Sequence, residues 1–575
     1  MRRKASALAT AAVVAAGLAG YSGTARAEAP GTPAAACETP ADHRIAQVQG
    51  SADASPLAGQ TVRVEGVVTG DFRRTDQLKG FYVQDQAPDA DPATSEGLFV
   101  YSTKDVKAGD RVLVTGKVTE YSGLTELSPV SAVDVCGTAT EPVKPVDIRL
   151  PLPAGVTMER YEGMAVRFKQ RLTATEVYNL GRYGEVSLSS AGRLFNPTEG
   201  RGRTQAWNDA HRILLDDGSN VQNPAVPPYT KPKVLRVGDS TANLTAIMSQ
   251  GFGTYRLEPA TLPKFARTNP RHAKPSPVGG DVRVASFNTE NWFTTLNQRG
   301  ATSAEERDRQ LAKLVSAIKG LNPDVAGLME IENNDAAGAD SAIQTLVDKL
   351  NAEVGAGTYA WIRHVNPGTD QIHVAAIYKP AKVRPVGAAR SSDAPVFERP
   401  PLVQTFGLAS GKGTTFTLIA NHFKSKGCTG ATGADKDQGD GQGCFNPRRV
   451  AQAKAIGELA AREKNPVVLG DLNAYTAEDP VKALVGGGLV GQTERFVKPA
   501  ERYSYVFDGQ SGELDHVLAG KAISKRVTGA AIWHINADEP LAEGYSTKYN
   551  PPFLYHPDAF RSSDHDPVVI GLKLR

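Results

Sequence analysis

The spacing of apolar residues changes near residue 281, and one layered core cannot satisfy both patterns. Between Leu57 and Val135, short β-branched runs such as TVRVEGVVTG, GFYVQDQ and AGDRVLVTGKVTEYSG alternate with glycine turns, a spacing that predicts an all-β unit and suits a small barrel. A looser echo follows, in which YEGMAVRFKQRLTATEV answers LAGQTVRVEGVVTG and GFGTYRLEP answers YSGLTELSP. This predicts a second β-domain with an insertion around Asn196–Pro232. From Asp281 onward, strand-like runs (VRVASFN, VAGLMEI, IHVAAIYK, TTFTLIANHF, PVVLGDLNAY, LDHVLAG) alternate with amphipathic stretches, the mark of an α/β domain. Ser303 with Glu306 forms a capping box ahead of Leu311, Leu314, Val315 and Ile318, with Gly320 as the expected stop, and Pro447 falls in the first turn of another helix.

The predicted division is 1–27 signal peptide, 28–145 OB-like β-domain, 146–258 second OB-like β-domain, 259–280 linker and 281–575 catalytic α/β domain. The first residues support the signal assignment through Arg2, Arg3 and Lys4, an apolar run from Ala5 to Ala19, and a small-x-small site at Ala25-Arg26-Ala27. That run falls short of the roughly 20 residues a membrane span needs, so the expectation is a secreted protein with no membrane span. Cleavage would remove four basic side chains and no acid, taking the net charge from +3 to −1. Attraction to a polyanion must then be local. All four cysteines lie beyond the cleavage point, and an even count in an oxidising compartment favours two disulfides. Of three possible pairings, Cys37–Cys136 and Cys428–Cys444 each bracket one coherent segment. The second would remove about 3 kcal/mol of loop entropy from the unfolded chain.

The polar residues of interest sit at predicted strand ends: Asn288 and Glu290 in SFNTENW, Glu330 in GLMEIEN, His422 in NHFKSKG, Asp471 and Asn473 in GDLNAY, Asp515 in GELDHV, and Asp564 with His565 in SSDHDPV. Any one of them alone reads as an ordinary solvated side chain. In this order they resemble the motif series of the endonuclease/exonuclease/phosphatase superfamily, which includes deoxyribonuclease I and exonuclease III, over residues 281–575. The resemblance implies a four-layer α/β sandwich. NHFKSKG, GCTGATGADKDQGDGQGCFN and YSYVFDGQSGELDHVL further resemble secreted multidomain nucleases of the ExeM and NucH type. The chain departs from the exonuclease III pattern at Glu290, where Asp is common, and at MEIEN, where Glu332 competes with Glu330.

Phosphodiester hydrolysis requires neutralised non-bridging oxygens, an activated water and help for the leaving oxygen. Asn288, Glu330 and Asp564, joined by Glu290, offer oxygen donors that suit Mg²⁺ or Mn²⁺ over zinc. His565 is the acid–base candidate, because imidazole titrates near neutrality. By resemblance Asp515 orients it, Asp471 positions or deprotonates the water, Asn473 donates to the phosphoryl oxygen, and His422 contacts the phosphate or serves the leaving group. The expected partner is DNA, with RNA as a second substrate, and no obligate protein partner is evident.

Lys424, Lys426, Arg448 and Arg449 flank the cysteine-bracketed loop as candidate phosphate contacts. Within it, Asp435, Asp437 and Asp440 among glycines are candidates for a structural Ca²⁺, though not at EF-hand spacing. Phe72, Phe81, Tyr82 and Tyr121 are candidate base-stacking platforms on the β-domains, and Tyr545, Tyr549, Phe553, Tyr555 and Phe560 near the catalytic motif. The competing readings are a phosphatase or phospholipid phosphodiesterase with the same centre, and a non-enzymatic adhesion protein.

Overall fold

The computed structural model describes residues 35–575; the signal-peptide expectation lies outside them. Five strands, Thr61–Phe72 (β1), Gly80–Gln84 (β2), Gly97–Val100 (β3), Asp110–Tyr121 (β4) and Leu124–Thr138 (β5), close into a barrel in the order β1-β2-β3-β5-β4. The alternating residues Val62, Val64, Val112 and Val114 fill it, as the period of two requires. The Cys37–Cys136 disulfide ties the segment before the barrel to its last strand.

The next strands, from Val146 to Glu258, form an eight-stranded sheet rather than a second closed barrel. The insertion expected around Asn196–Pro232 explains part of the difference. Its first half leaves the sheet and docks on the α/β region, where Asn208 Nδ2 donates to Gln510 Oε1 at 2.9 Å and Thr198 Oγ1 donates to Glu478 Oε1 at 2.7 Å. The stretch expected to be a linker is also clasped, since Arg271 bonds Glu539 at 2.6 Å.

Beyond it lie two six-stranded sheets face to face. Val284, Val325 and Ile570 of one pack against Leu418, Val467 and Val517 of the other. Helices Ala304–Leu321 and Ala342–Val354 cover the outer face of the first sheet, and Asn446–Ala461 and Asp479–Gly486 that of the second. The result is a four-layer α/β sandwich, as the resemblance implied. Ser303 Oγ caps its helix by accepting the Glu306 amide at 3.2 Å. Gly320, however, does not stop that helix, which runs to Leu321; a Cβ at Gly320 would lie 2.3 Å from the Trp533 ring, so the glycine serves packing. The last strand, Val568–Leu572, inserts between Val282–Trp292 and Val527–Ile532, in the interior of its sheet.

Candidate active site

Both central strand pairs end at the same edge of the sandwich. Val282–Trp292 runs parallel to Val325–Glu332, bringing Asn288 beside Glu330, and Phe416–His422 runs parallel to Pro466–Asp471, bringing His422 opposite Asp471. Gly470 makes the second pairing possible, because a Cβ there would stand 1.9 Å from the Asn421 carbonyl oxygen. Five residues at this edge, Glu290, Asn291, Glu330, Asn473 and Arg561, have φ between +46° and +63°. Non-glycine side chains seldom adopt this region, and such strain gathers at functional sites.

Asp471 is the hub. Its Oδ2 lies 3.2 Å from Asn288 Nδ2, 3.4 Å from His422 Nε2 and 3.8 Å from His565 Nε2, while its Oδ1 accepts the Asn473 amide at 2.8 Å. Burial opposes its charge, but His565, His422 and the Asn473 amide outweigh that and hold the carboxyl well below the usual range. His565 is buried, with Nδ1 2.7 Å from Asp515 Oδ2, an oxygen that also accepts from Ser504 Oγ at 2.8 Å. Desolvation works against the imidazolium, yet Asp515, Asp471 and Asp564 raise its pKa well above the ordinary value.

Glu330 Oε1 lies 3.3 Å from Asn288 Nδ2, and Oε2 accepts the Asn291 amide at 2.9 Å. Burial, with Asp564 and Glu330 nearby, pushes Glu290 up to about 7, although Arg561 stands 3.6 Å away. Glu332 does not compete: its Oε2 accepts the Thr294 and Thr295 amides at 2.8 and 3.1 Å, fastening a loop. Among the described residues, no three His, Cys, Asp or Glu side chains form a metal-holding group; the amide oxygen of Asn288 accepts the Glu290 amide at 3.1 Å.

The flanking cations behave differently from expectation. Arg449 is fully buried and donates to the carbonyls of Cys444 and Gln442, both at 2.7 Å, which makes it a strut for the Cys428–Cys444 loop. Lys426 is tied to buried Glu478 at 2.6 Å, and Arg448 to Glu398 at 2.9 Å. Lys424 is half-buried, with Nζ over the Phe445 ring. The loop acids are not gathered for Ca²⁺: Asp437 and Asp440 each accept the amide two residues ahead, and Asp435 lies half-buried apart from any metal-holding group among the described residues. Of the four candidate barrel aromatics, Phe81 fills the barrel, Phe72 and Tyr82 lie on its outer face covered by the second sheet, and Tyr121 is exposed. Near the catalytic motif, Tyr549 and Phe553 are exposed, whereas Phe560 packs on the core and the Tyr555 hydroxyl donates to the Arg309 carbonyl at 3.2 Å.

Several residues at the site have partnerships that the sequence does not reveal. The Tyr505 ring lies 4.6 Å from that of His565. Asn536 accepts the Ser562 amide at 2.8 Å and donates to the His565 carbonyl at 2.6 Å, fixing the catalytic loop, while Asp566 Oδ1 accepts the amides of Ile535, Asn536 and Ala537. Tyr505 and Asp566 fall inside quoted motifs and Asn536 in none, but only the meeting of distant segments shows these partnerships.

An edge with several carboxylates, two imidazoles and amide oxygens is equipped for water-dependent cleavage of a phosphoester. No curated protein matches the chain. Among solved structures, D. rerio TDP2 carrying 14 humanising mutations is 14% identical, with 50% of this chain and 97% of that chain covered and a TM-score of 0.34. A Bacteroides thetaiotaomicron endonuclease/exonuclease/phosphatase family protein is 16% identical, with 50% and 96% covered and a TM-score of 0.34. A mannosyl-6-phosphatase of B. thetaiotaomicron is 16% identical, with 51% and 99% covered and a TM-score of 0.33. Residues 294–565 match the model of the Endonuclease/Exonuclease/phosphatase family.

Proposed function

We propose that the protein is a secreted, divalent-metal-dependent nuclease that cuts phosphodiester bonds within DNA, with RNA as a second substrate. The observation that carries this reading is the convergence on Asp471 Oδ2 of Asn288, His422 and His565, all within 3.8 Å. Asn288, Glu330, Asp564 and Glu290 would hold the metal ion, because their donors are oxygens, which suit a hard divalent cation. Bound there, Mg²⁺ or Mn²⁺ supplies neutralisation of the phosphoryl oxygens.

The remaining work belongs to side chains. Asp471, ionised in the resting state, takes the proton of the attacking water at Oδ2. His565, charged and oriented by Asp515, gives a proton from Nε2 to the departing oxygen. Asn473 and His422, both held against Asp471, steady the phosphoryl group. Water attack in a single displacement leaves no covalent enzyme intermediate.

The two disulfides fit an oxidising compartment, and no helix among the described residues is long and apolar enough to cross a membrane. The barrel's strand order supports an OB-like reading of residues 28–145, with a second β-domain over 146–258, a clasped connection over 259–280 and the catalytic domain over 281–575. Incubating supercoiled plasmid with purified protein and Mg²⁺, beside EDTA and His565→Ala controls, tests the activity. Nicked and linear products that vanish in both controls are expected. An untouched circle sinks internal cleavage and returns the phosphatase and phospholipid readings.

A further inference from the structure

The short helix Leu180–Tyr183, at an edge of the second β-domain, docks on the turn Leu541–Glu543 ahead of the catalytic motif. Gly181 permits the approach, because a Cβ there would lie 2.6 Å from the Ala542 Cβ. Beside this contact a cavity of about 320 Å³ opens between the two domains. Tyr178 and Arg182 line it from the β-domain, Tyr545 and Tyr549 from the catalytic domain, and Glu290 and Arg561 join it to the catalytic edge.

Three features of the cavity point to one class of ligand. Tyr178 and Tyr549 are 61% and 56% exposed, leaving large rings in water where a planar group would cover them. The lining carries two guanidinium groups against one carboxylate, a local positive balance in a protein whose overall charge is near neutral. Arg561 is buried, and its Nε has no hydrogen-bond partner, an uncommon state for a buried donor. A site with stacking surfaces, a cationic lining and room on the scale of one nucleotide suits an unpaired nucleotide rather than a duplex.

We propose that this cavity is a nucleotide subsite adjoining the scissile phosphodiester. Tyr178 and Tyr549 stack on an unpaired base, and Arg182 neutralises the neighbouring phosphate. The inference rests on the phosphodiesterase reading of the catalytic edge and deepens it. The second β-domain becomes part of the substrate cleft, and single-stranded or locally opened nucleic acid becomes the favoured substrate.

The test uses the full chain and two substrates with Mg²⁺: a single-stranded oligothymidylate, and bis(p-nitrophenyl) phosphate, which has no flanking nucleotide. The ratio of kcat/KM for the oligonucleotide to that for the small ester should fall roughly 5- to 150-fold in Tyr178→Ala, the range of one lost base stack. Tyr178→Phe, which keeps the ring, should retain the ratio. Arg182→Ala should lower the slope of log KM against log salt by about 0.7, the value for one single-strand phosphate contact. An unchanged ratio in Tyr178→Ala, or an equal loss on both substrates, overturns the subsite. If the wild type cleaves neither substrate, the hydrolase reading fails by itself. The subsite is then judged by fluorescence anisotropy of the labelled oligonucleotide in EDTA: weaker binding by Tyr178→Ala supports it, and equal binding overturns it.

Discussion

His565 Nδ1 lies 2.7 Å from Asp515 Oδ2, and the two residues approach from different directions: Asp515 opens strand Asp515–Gly520, whereas His565 stands just before the last strand of the other sheet. The dyad therefore spans the sandwich and reports on the docking of its two sheets.

Asp515→Asn keeps the shape of the dyad and removes the charge that orients and protonates the imidazole. The turnover number should fall by roughly two to four orders of magnitude, as when a buried aspartate is taken from a catalytic histidine. His565→Ala and the double variant should fall about as far as each other, because the pair acts as a unit. Initial rates on plasmid DNA check this; a loss under tenfold for Asp515→Asn removes it from the catalytic machinery.

Glu330→Gln leaves a neutral donor where a carboxylate stood. The Mg²⁺ concentration giving half-maximal activity should rise by about tenfold or more, and EDTA should abolish wild-type activity reversibly. A metal titration that leaves this midpoint unmoved would place the ion elsewhere.

Much of this edge was legible before folding, since strand period and motif order located Asn288, Glu330, His422, Asp471 and His565. Partnership was not. Arg449, Lys426 and Arg448 look alike in sequence as cations beside a loop, yet one is a buried strut and the others are ion-paired. Phe81 and Tyr82 are adjacent in sequence and both lie in the interior, because the barrel covers one and the second sheet covers the other. The left-handed backbone at Glu290 and Glu330 had no glycine to announce it.

The interface with the second β-domain should be strongly stabilising in both directions. Asp538 is fully buried, with Arg193 at 2.8 Å, Arg236 at 3.5 Å and the Tyr503 hydroxyl at 2.8 Å. Asp538→Ala leaves the largely buried Arg193 without a carboxylate, while Arg236 keeps Glu539 at 3.0 Å, and should cost about 3–5 kcal/mol, read as a fall of several degrees in the first thermal transition. Tyr503 adjoins Ser504, which holds Asp515, so the same variant should lose activity before it unfolds. A melting curve that overlays the wild type refutes the coupling.

His364 supplies the pH dependence of stability. Burial, with His373 nearby, pushes its pKa down to about 4 from 6.5. The folded protein favours the neutral ring, so the stabilisation is complete above pH 6.5 and is lost as the pH falls through 4. A shift of this size is worth about 3 kcal/mol. His364→Gln should flatten the wild-type decline in melting temperature between pH 6.5 and pH 4; parallel declines for the two proteins would refute the assignment.

The position of strand Val568–Leu572 inside its sheet sets the timing of activity. His565 and Asp564 reach the catalytic edge only when that strand pairs with Val282–Trp292. Until that pairing forms, the chain carries Asn288, Glu330, His422 and Asp471 without an assembled centre.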